Sequence, residues 1–376
     1  MNLKSLLLCS DDKIVRVLRR TLGDLDIGVE LCASSEIALR KLTRERFEAI
    51  IVDCAGPGAA AVLRSARMAP CNKRAIAVAI LDPEIGLRSA FEIGAHFILY
   101  KPVSVERSKS SFRAARALMK KERRRNSRVS VNIPVEMTSR ESDVHFNVNT
   151  SDLGEGGLAV SLPRRGKPSG RWKLVFALPG SAKVLEVNAE FAWEGTGKQV
   201  GLRFQDPSVE FTQQLREWLG RNSPDAEKDD PPTRCQLTDL SLGGCYLEIS
   251  SPFPVSTRVT LSMRAGGIDL KTEGVVRIMH PDKGMGVEFT QRTPEHRALL
   301  EKFLSLLTEN RGVMPELLVE PEGLEVGSAA PTAVPGEVDD ALLGLFRHQA
   351  GLPADAFQAE LRKQRSVAAA AAACST

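Results

Sequence analysis

The sequence predicts a multidomain chain: an α/β domain of (βα)5 type, two small antiparallel β-barrels in series, and a largely disordered tail. Three observations predict it. Over the first 120 residues short apolar runs alternate with helical patterns, the signature of a parallel sheet covered by helices. From 121 to 222 many short strand-like segments with turn signals end in one amphipathic helix, as a small barrel requires. That second pattern then recurs inside the chain. Asp152, Leu153, Gly154, Glu155, Gly156 and Gly157 are matched by Asp239, Leu240, Ser241, Leu242, Gly243 and Gly244, and Gly201–Phe204 by Gly286–Phe289. The two aspartate-to-glycine offsets are 49 (152 to 201) and 47 (239 to 286) residues.

Composition sets the limits. At 376 residues, 43% hydrophobic and 26% charged, the chain is ordinary globular material with room for several cores. A net charge of +4 names no partner, but positive charge crowds between Lys101 and Arg128 against only Glu106 and Glu122. Such a cluster suits an anionic ligand or an acidic surface, and equally a solvated helix face. Seven scattered cysteines with no Cys-x-x-Cys spacing point to reduced thiols and a cytoplasmic protein. Five dispersed histidines give no metal spacing. The run Leu6–Cys9 fits a buried strand better than a leader, and no stretch reaches the ~18 apolar residues of a membrane span.

In the α/β domain, assigned to 1–120, strands are expected at Ser5–Cys9, Val29–Ala33, Ala49–Val52, Ala75–Leu81 and Phe97–Tyr100. Helices are expected at Lys13–Leu25, Glu36–Arg46, Ala59–Met68, Glu84–Ile93 and Val105–Glu122. Asp11 and Asp12 follow the first strand, Asp53 ends the third, and Lys101-Pro102 end the fifth. This order of landmarks resembles a response-regulator receiver, which implies a flavodoxin-like fold. It implies Asp53 as phosphoacceptor, Mg²⁺ held near Asp11 or Asp12 and Asp53, and Lys101 neutralising the phosphoryl oxygens. Two departures argue for a degenerate receiver used in docking or homodimerisation. Ser10 stands where the first acid is expected, and no Ser or Thr occurs in Ala75–Arg88.

The first barrel, 121–222, opens on Arg123–Arg125 and Arg128, continues with an alternating strand (Val129, Val131, Ile133, Val135), and reaches the turn Asp152–Gly157. The frame Arg124-x-x-x-Arg128 with Asp152, Gly154 and Gly157 resembles the two ligand motifs of the PilZ family. That resemblance implies a cyclic di-GMP receptor. An intact Asn-x-Ser-x-x-Gly also lies at Asn149, Ser151 and Gly154, but the Asp152 frame is preferred because Gly157 leads into the strand Leu158–Val160. The chemistry is apt. A guanidinium fork reads guanine O6 and N7, or phosphate oxygens, bidentately. A carboxylate accepts from the guanine N1 and N2 hydrogens, and glycines let the backbone turn closely beside a base. The departure here is Gly154, where the family has serine; one lost hydroxyl contact costs about 1 kcal/mol.

A polar linker, 223–230, precedes the second copy at 231–309. That copy holds an intact Asp239, Ser241 and Gly244 but no arginine pair, and its first strand is not readable. It is therefore read as incomplete, with a structural or pairing role. The tail, 310–376, reads as a disordered spacer over Asn310–Gly336, followed by short helices at Val338–His348 and Ala354–Arg365. Leu342, Leu343, Leu345 and Phe346 could dock on a partner or pack back on the protein. No catalytic triad, nucleotide-hydrolysing loop, helix-turn-helix or zinc pattern is present. The reading is therefore a non-enzymatic cyclic di-GMP-binding signalling adaptor, its nucleotide held by the first barrel and its signal passed through the receiver-like domain to a protein partner, with no DNA and no membrane insertion. The alternative is a nucleotide-independent scaffold.

Overall fold

The computed structural model describes residues 3–69, 71–85, 93–141, 144–162, 170–181, 183–195, 198–222, 229–291, 293–310, 314–325, 340–348 and 355–363. Most of the helix expected at Glu84–Ile93 (residues 86–92) and most of the linker 223–230 lie outside them. The chain divides into two compact units, one of residues 123–228, the other of 2–122 with 229–376.

In the larger unit the α/β domain follows the expected alternation. Strands β1 (Leu3–Leu8), β2 (Ile27–Cys32), β3 (Ala49–Asp53), β4 (Ile76–Leu81) and β5 (Phe97–Tyr100) form a parallel sheet in the order β2-β1-β3-β4-β5, the flavodoxin-like order. Every residue of β3 and β4 is buried, as expected of central strands covered on both faces. Helix α1 (Asp12–Gly23) starts at Asp11, whose carboxylate accepts from the amides of Lys13 and Ile14. Helices α2 (Ser35–Arg44) and α3 (Ala59–Met68) flank the sheet. Helix α4 spans Val105–Asn126 and buries Phe112, Ala115, Leu118 and Met119.

The same unit contains the second barrel, a closed ring of six strands. Its strands are β13 (Thr233–Leu240), β14 (Gly244–Glu248), β15 (Thr257–Ala265), β16 (Ile268–His280), β17 (Gly284–Phe289) and β18 (Glu316–Leu324). Helix α6 (Pro294–Glu309) is capped by Thr293, whose hydroxyl accepts from the His296 amide at 3.2 Å. This corrects the reading of Asn310–Gly336 as spacer, and it supplies the strand that the second copy, assigned to 231–309, lacks at its start. β18 lies inside that stretch and pairs antiparallel with both β13 and β15. Leu317, Val319, Pro321 and Gly323 are buried in two-residue alternation, and Leu324 at the strand's end is buried out of phase with them.

The α/β domain and this barrel are joined along α4. Ser110 Oγ lies 2.5 Å from Ser251 Oγ, and Lys120 Nζ 2.9 Å from Asp230 Oδ1. The buried Glu122 accepts from the Leu324 amide at 2.7 Å and from Arg74 at 3.3 Å. A buried carboxylate is tolerated only with such partners.

The smaller unit is the first barrel: β6 (Arg128–Val129), β7 (Pro134–Ser139), β8 (His145–Gly154), β9 (Gly157–Ser161), β10 (Arg171–Ala177), β11 (Val184–Glu194) and β12 (Gln199–Gln205). They run in the order β6-β8-β7-β10-β11-β12-β9, and the further pairing of β8 with β9 closes the ring. Helix α5 (Val209–Asn222) seals it with Phe211, Leu215, Trp218 and Leu219. The single strand expected from Val129 is two strands here. Residues 130–133 leave the ladder, while Val129, Ile133 and Val135 remain buried. The hydroxyl of Thr150 fills the gap, accepting from the Ile133 amide at 2.9 Å and donating to the Val131 carbonyl.

The two barrels are built from the same pieces in different chain order. In the first, β7 precedes β8 and pairs with β8 and β10. In the second, the corresponding place between β13 and β15 is taken by β18, which arrives last.

Candidate functional site

The first barrel's site is built around the two-residue turn between β8 and β9. Gly154 pairs with Gly157, leaving Glu155 and Gly156 at the tip. Gly157 must be glycine because a β-carbon there would lie 2.1 Å from the Leu202 carbonyl oxygen. Gly156 has nothing within 4 Å of where its β-carbon would stand, so the tip is open. A β-bulge after Thr150 resets the register so that Asp152 faces Ala159.

The arginines arrive from the other side. β6 places Arg128 opposite Gly154, and the Arg128 guanidinium makes an ion pair with Asp152. Their side chains keep 40% and 27% of their exposure, so both remain open to a ligand. At Gly154 a β-carbon would lie 3.1 Å from Arg128 Cγ and from the Ser127 carbonyl oxygen. The glycine where the family has serine thus sits under the stem of Arg128. Arg124 does not lie on a flexible segment: α4 continues to Asn126 and holds Arg124, half-buried, in its last turn. The structure therefore brings Arg128, Asp152, Gly154 and Gly157 together and sets Arg124 one element earlier. The reading missed Arg216 on α5, whose guanidinium pairs with Glu155 at the tip. No spacing signals an arginine 61 residues away.

In the second barrel the matching turn is differently placed. Ser241 accepts from the Gly244 amide at 3.1 Å and donates back to its carbonyl at 3.2 Å, so its hydroxyl closes the turn. Asp239 is half-buried on β13, opposite Tyr246. The tip is covered: the Gly243 amide donates to Asp340 Oδ2 at 2.9 Å, and a β-carbon on Gly243 would lie 2.5 Å from Leu343 Cδ1.

In the α/β domain Asp53 is buried at the end of β3, with Lys101 Nζ 2.9 Å from its Oδ1. Asp82, directly after β4, stands 3.6 Å from the same ammonium; the reading missed it, although an acid straight after a buried strand was visible. Burial works against the charge on Lys101, but Asp53 and Asp82 outweigh it and raise its pKa above the ordinary value. The thiol of Cys9 donates to Asp53 Oδ2 at 3.6 Å, and burial with the neighbouring carboxylate charge pushes its pKa up to about 11. Asp11 is turned to the start of α1 and Asp12 lies exposed in that helix's first turn. Among the described residues no group of three His, Cys, Asp or Glu side chains is placed to hold a metal ion.

A family model described as the PilZ domain matches residues 122–221 and again 223–306. A comparison with curated proteins finds no match. Among solved structures the chain is similar to a putative response regulator from Chloroflexus aurantiacus, at 22% identity over 31% of this chain and 98% of that one, with a TM-score of 0.29. The receiver domain of a sensor histidine kinase from Pseudomonas aeruginosa, with magnesium coordinated in its active-site cleft, matches at 23% identity. That match covers 32% of this chain and 98% of the other, with a TM-score of 0.28. The PilZ domain of CeSA from a cellulose-synthesizing bacterium matches at 20% identity over 24% of this chain and 93% of that one, with a TM-score of 0.21. Among the described residues no helix is long and apolar enough to cross a membrane.

Proposed function

The chain carries two PilZ domains, and from that premise we propose that it is a cytoplasmic cyclic di-GMP-binding signalling adaptor, without enzymatic activity, whose first barrel holds the nucleotide. The observation that supports this reading is the pair Arg128–Asp152 at an open glycine turn. Each group is the other's placeholder. An exposed ion pair of this kind is worth about 0–1 kcal/mol, so opening it costs little. The ligand replaces one weak pair with two stronger ones, guanidinium to guanine or phosphate and carboxylate to the guanine N1 and N2 hydrogens. Gly156 leaves space beside the base, and Arg124 adds a second guanidinium from the last turn of α4. Occupation of the site alters the surface around the helix end and the turn, which a protein partner reads.

Calorimetric titration of the full chain with cyclic di-GMP, beside an Arg124→Ala/Arg128→Ala variant, tests this. Heat from the wild type that disappears in the variant supports it. A wild type giving no heat at ligand concentrations on the order of tens of micromolar shifts the assignment to a nucleotide-independent scaffold.

A further inference from the structure

The two glycine turns differ in what lies over them. Gly156 of the first is open, whereas its counterpart Gly243 is covered by the chain's own C-terminal segment. Helix α7 (Ala341–His348) begins at Asp340. One oxygen of that carboxylate caps the helix, accepting from the amides of Leu342 and Leu343 at 3.0 and 3.2 Å; the other takes the Gly243 amide. Leu343 lies on Gly243 and Gly244, and Phe346 on Gly286, where a β-carbon would be 2.5 Å from its ring. The helical residues 355–363 add Phe357, whose ring centroid is 5.3 Å from that of Tyr246 and 4.9 Å from that of His280. At the far end Glu288 is held by Arg277 of the barrel at 2.6 Å and by Arg347 of α7 at 3.6 Å.

We infer that this face of the second barrel is a helix-docking site, that the segment from Asp340 onward is its resident occupant, and that a partner protein's aspartate-capped amphipathic helix displaces it. Three features on the barrel select such a ligand. The Gly243 amide takes a helix-capping carboxylate, small residues at Gly243, Gly244 and Gly286 admit leucine and phenylalanine closely, and Glu288 takes a cation about two turns on. An eight-residue helix is not stable alone in water, so α7 owes its structure to this contact. Its covalent connection to the barrel makes rebinding intramolecular and so strengthens its hold over that of a free peptide. Any partner helix must exceed that. The inference stands apart from nucleotide binding by the first barrel.

The test uses the full chain with a specific protease recognition sequence placed within residues 326–339. After cutting of the folded protein, the C-terminal fragment should co-elute with the rest on gel filtration. An excess of a synthetic peptide of residues 338–363 should release it, and the same peptide carrying Asp340→Lys and Phe346→Asp should not. Cut Phe346→Asp protein, its barrel checked by circular dichroism, should lose the fragment at least 10-fold more readily. Immediate loss of the wild-type fragment would overturn the inference. So would a fragment that no amount of peptide displaces, which would make the segment a permanent wall of the barrel.

Discussion

Substituting Gly157 tests whether the turn geometry holds the first barrel together. In Gly157→Ala the new methyl carbon would stand 2.1 Å from the Leu202 carbonyl oxygen, 3.1 Å from its carbon and 3.2 Å from Arg203 Cα, all backbone atoms of the facing strand. Contacts between carbon and carbonyl oxygen settle near 3.3–3.6 Å, so the strands must part by roughly 1 Å. The ladder at risk pairs Gly157 with Arg203 and Leu158 with Leu202, beside the bond from the Phe204 amide to the Gly156 carbonyl at 3.0 Å. Two weakened ladder bonds at about 1 kcal/mol each and an overpacking cost of about 1–3 kcal/mol give roughly 3–5 kcal/mol. The assay is selective, because all three tryptophans, Trp172, Trp193 and Trp218, lie in this unit. Urea unfolding followed by tryptophan fluorescence therefore reports the first barrel alone. With a slope on the order of 1–2 kcal/mol per molar for a domain of this size, the midpoint should fall by at least about 1.5 M. Gly156→Ala, with open space at its β-carbon, should stay within about 0.5 kcal/mol of wild type. Equal midpoints for Gly157→Ala and wild type would refute the argument.

Three further outcomes are expected. Arg128→Ala should weaken cyclic di-GMP binding by about 10- to 100-fold, the loss of a charge-assisted hydrogen bond, and Arg128→Lys should recover only part of it. Because the pair with Asp152 is exposed, neither change should alter the unfolding midpoint appreciably; calorimetry and urea melts separate the two effects, and unchanged affinity in both variants would exclude Arg128 as a ligand contact. In the α/β domain the His96 Nδ1 accepts from the Ala77 amide at 3.1 Å, and burial, with the Arg67 charge, holds its pKa well below the ordinary value. The unfolded chain takes up a proton below about pH 6.5 that the folded one refuses, so stability is full above that pH and is lost as pH falls, at up to about 1.4 kcal/mol per unit. His96→Asn keeps an acceptor and should flatten thermal melts between about pH 7 and 5; a slope equal to that of wild type would remove His96 from the account. Finally, acetyl phosphate with Mg²⁺ should leave Asp53 unmodified, since Asp11 caps α1 and Lys101 already neutralises Asp53. A phosphoryl adduct at Asp53 in the mass spectrum would contradict this.

The α/β domain was legible because its central strands β3 and β4 are nearly continuous apolar runs and its described helices carry a repeating apolar face, both properties of the local sequence. The glycine turn was also legible locally, because glycines at 154, 156 and 157 have little strand preference of their own and permit the sharp reversal a hairpin needs. The break between β6 and β7 was not. Val129, Ile133 and Val135 go on alternating into the core while the backbone leaves the ladder, and the compensating hydroxyl of Thr150 lies 17 residues away. β18 was hidden by its proline, glycine and glutamates, which read as spacer although Leu317 and Val319 already alternated. The pairing of Arg216 with Glu155 and of Asp340 with Gly243 depends on tertiary approach and left no mark on local spacing.

The late arrival of β18 bears on how the protein is made. During synthesis the first barrel has all its strands once residue 205 is out, whereas the second waits for residue 324. In that interval β13 and β15 present raw edges, which invite pairing with other chains. A chain stopped at residue 306, where the second PilZ match ends, would carry those edges permanently, and should aggregate where a chain reaching residue 325 does not.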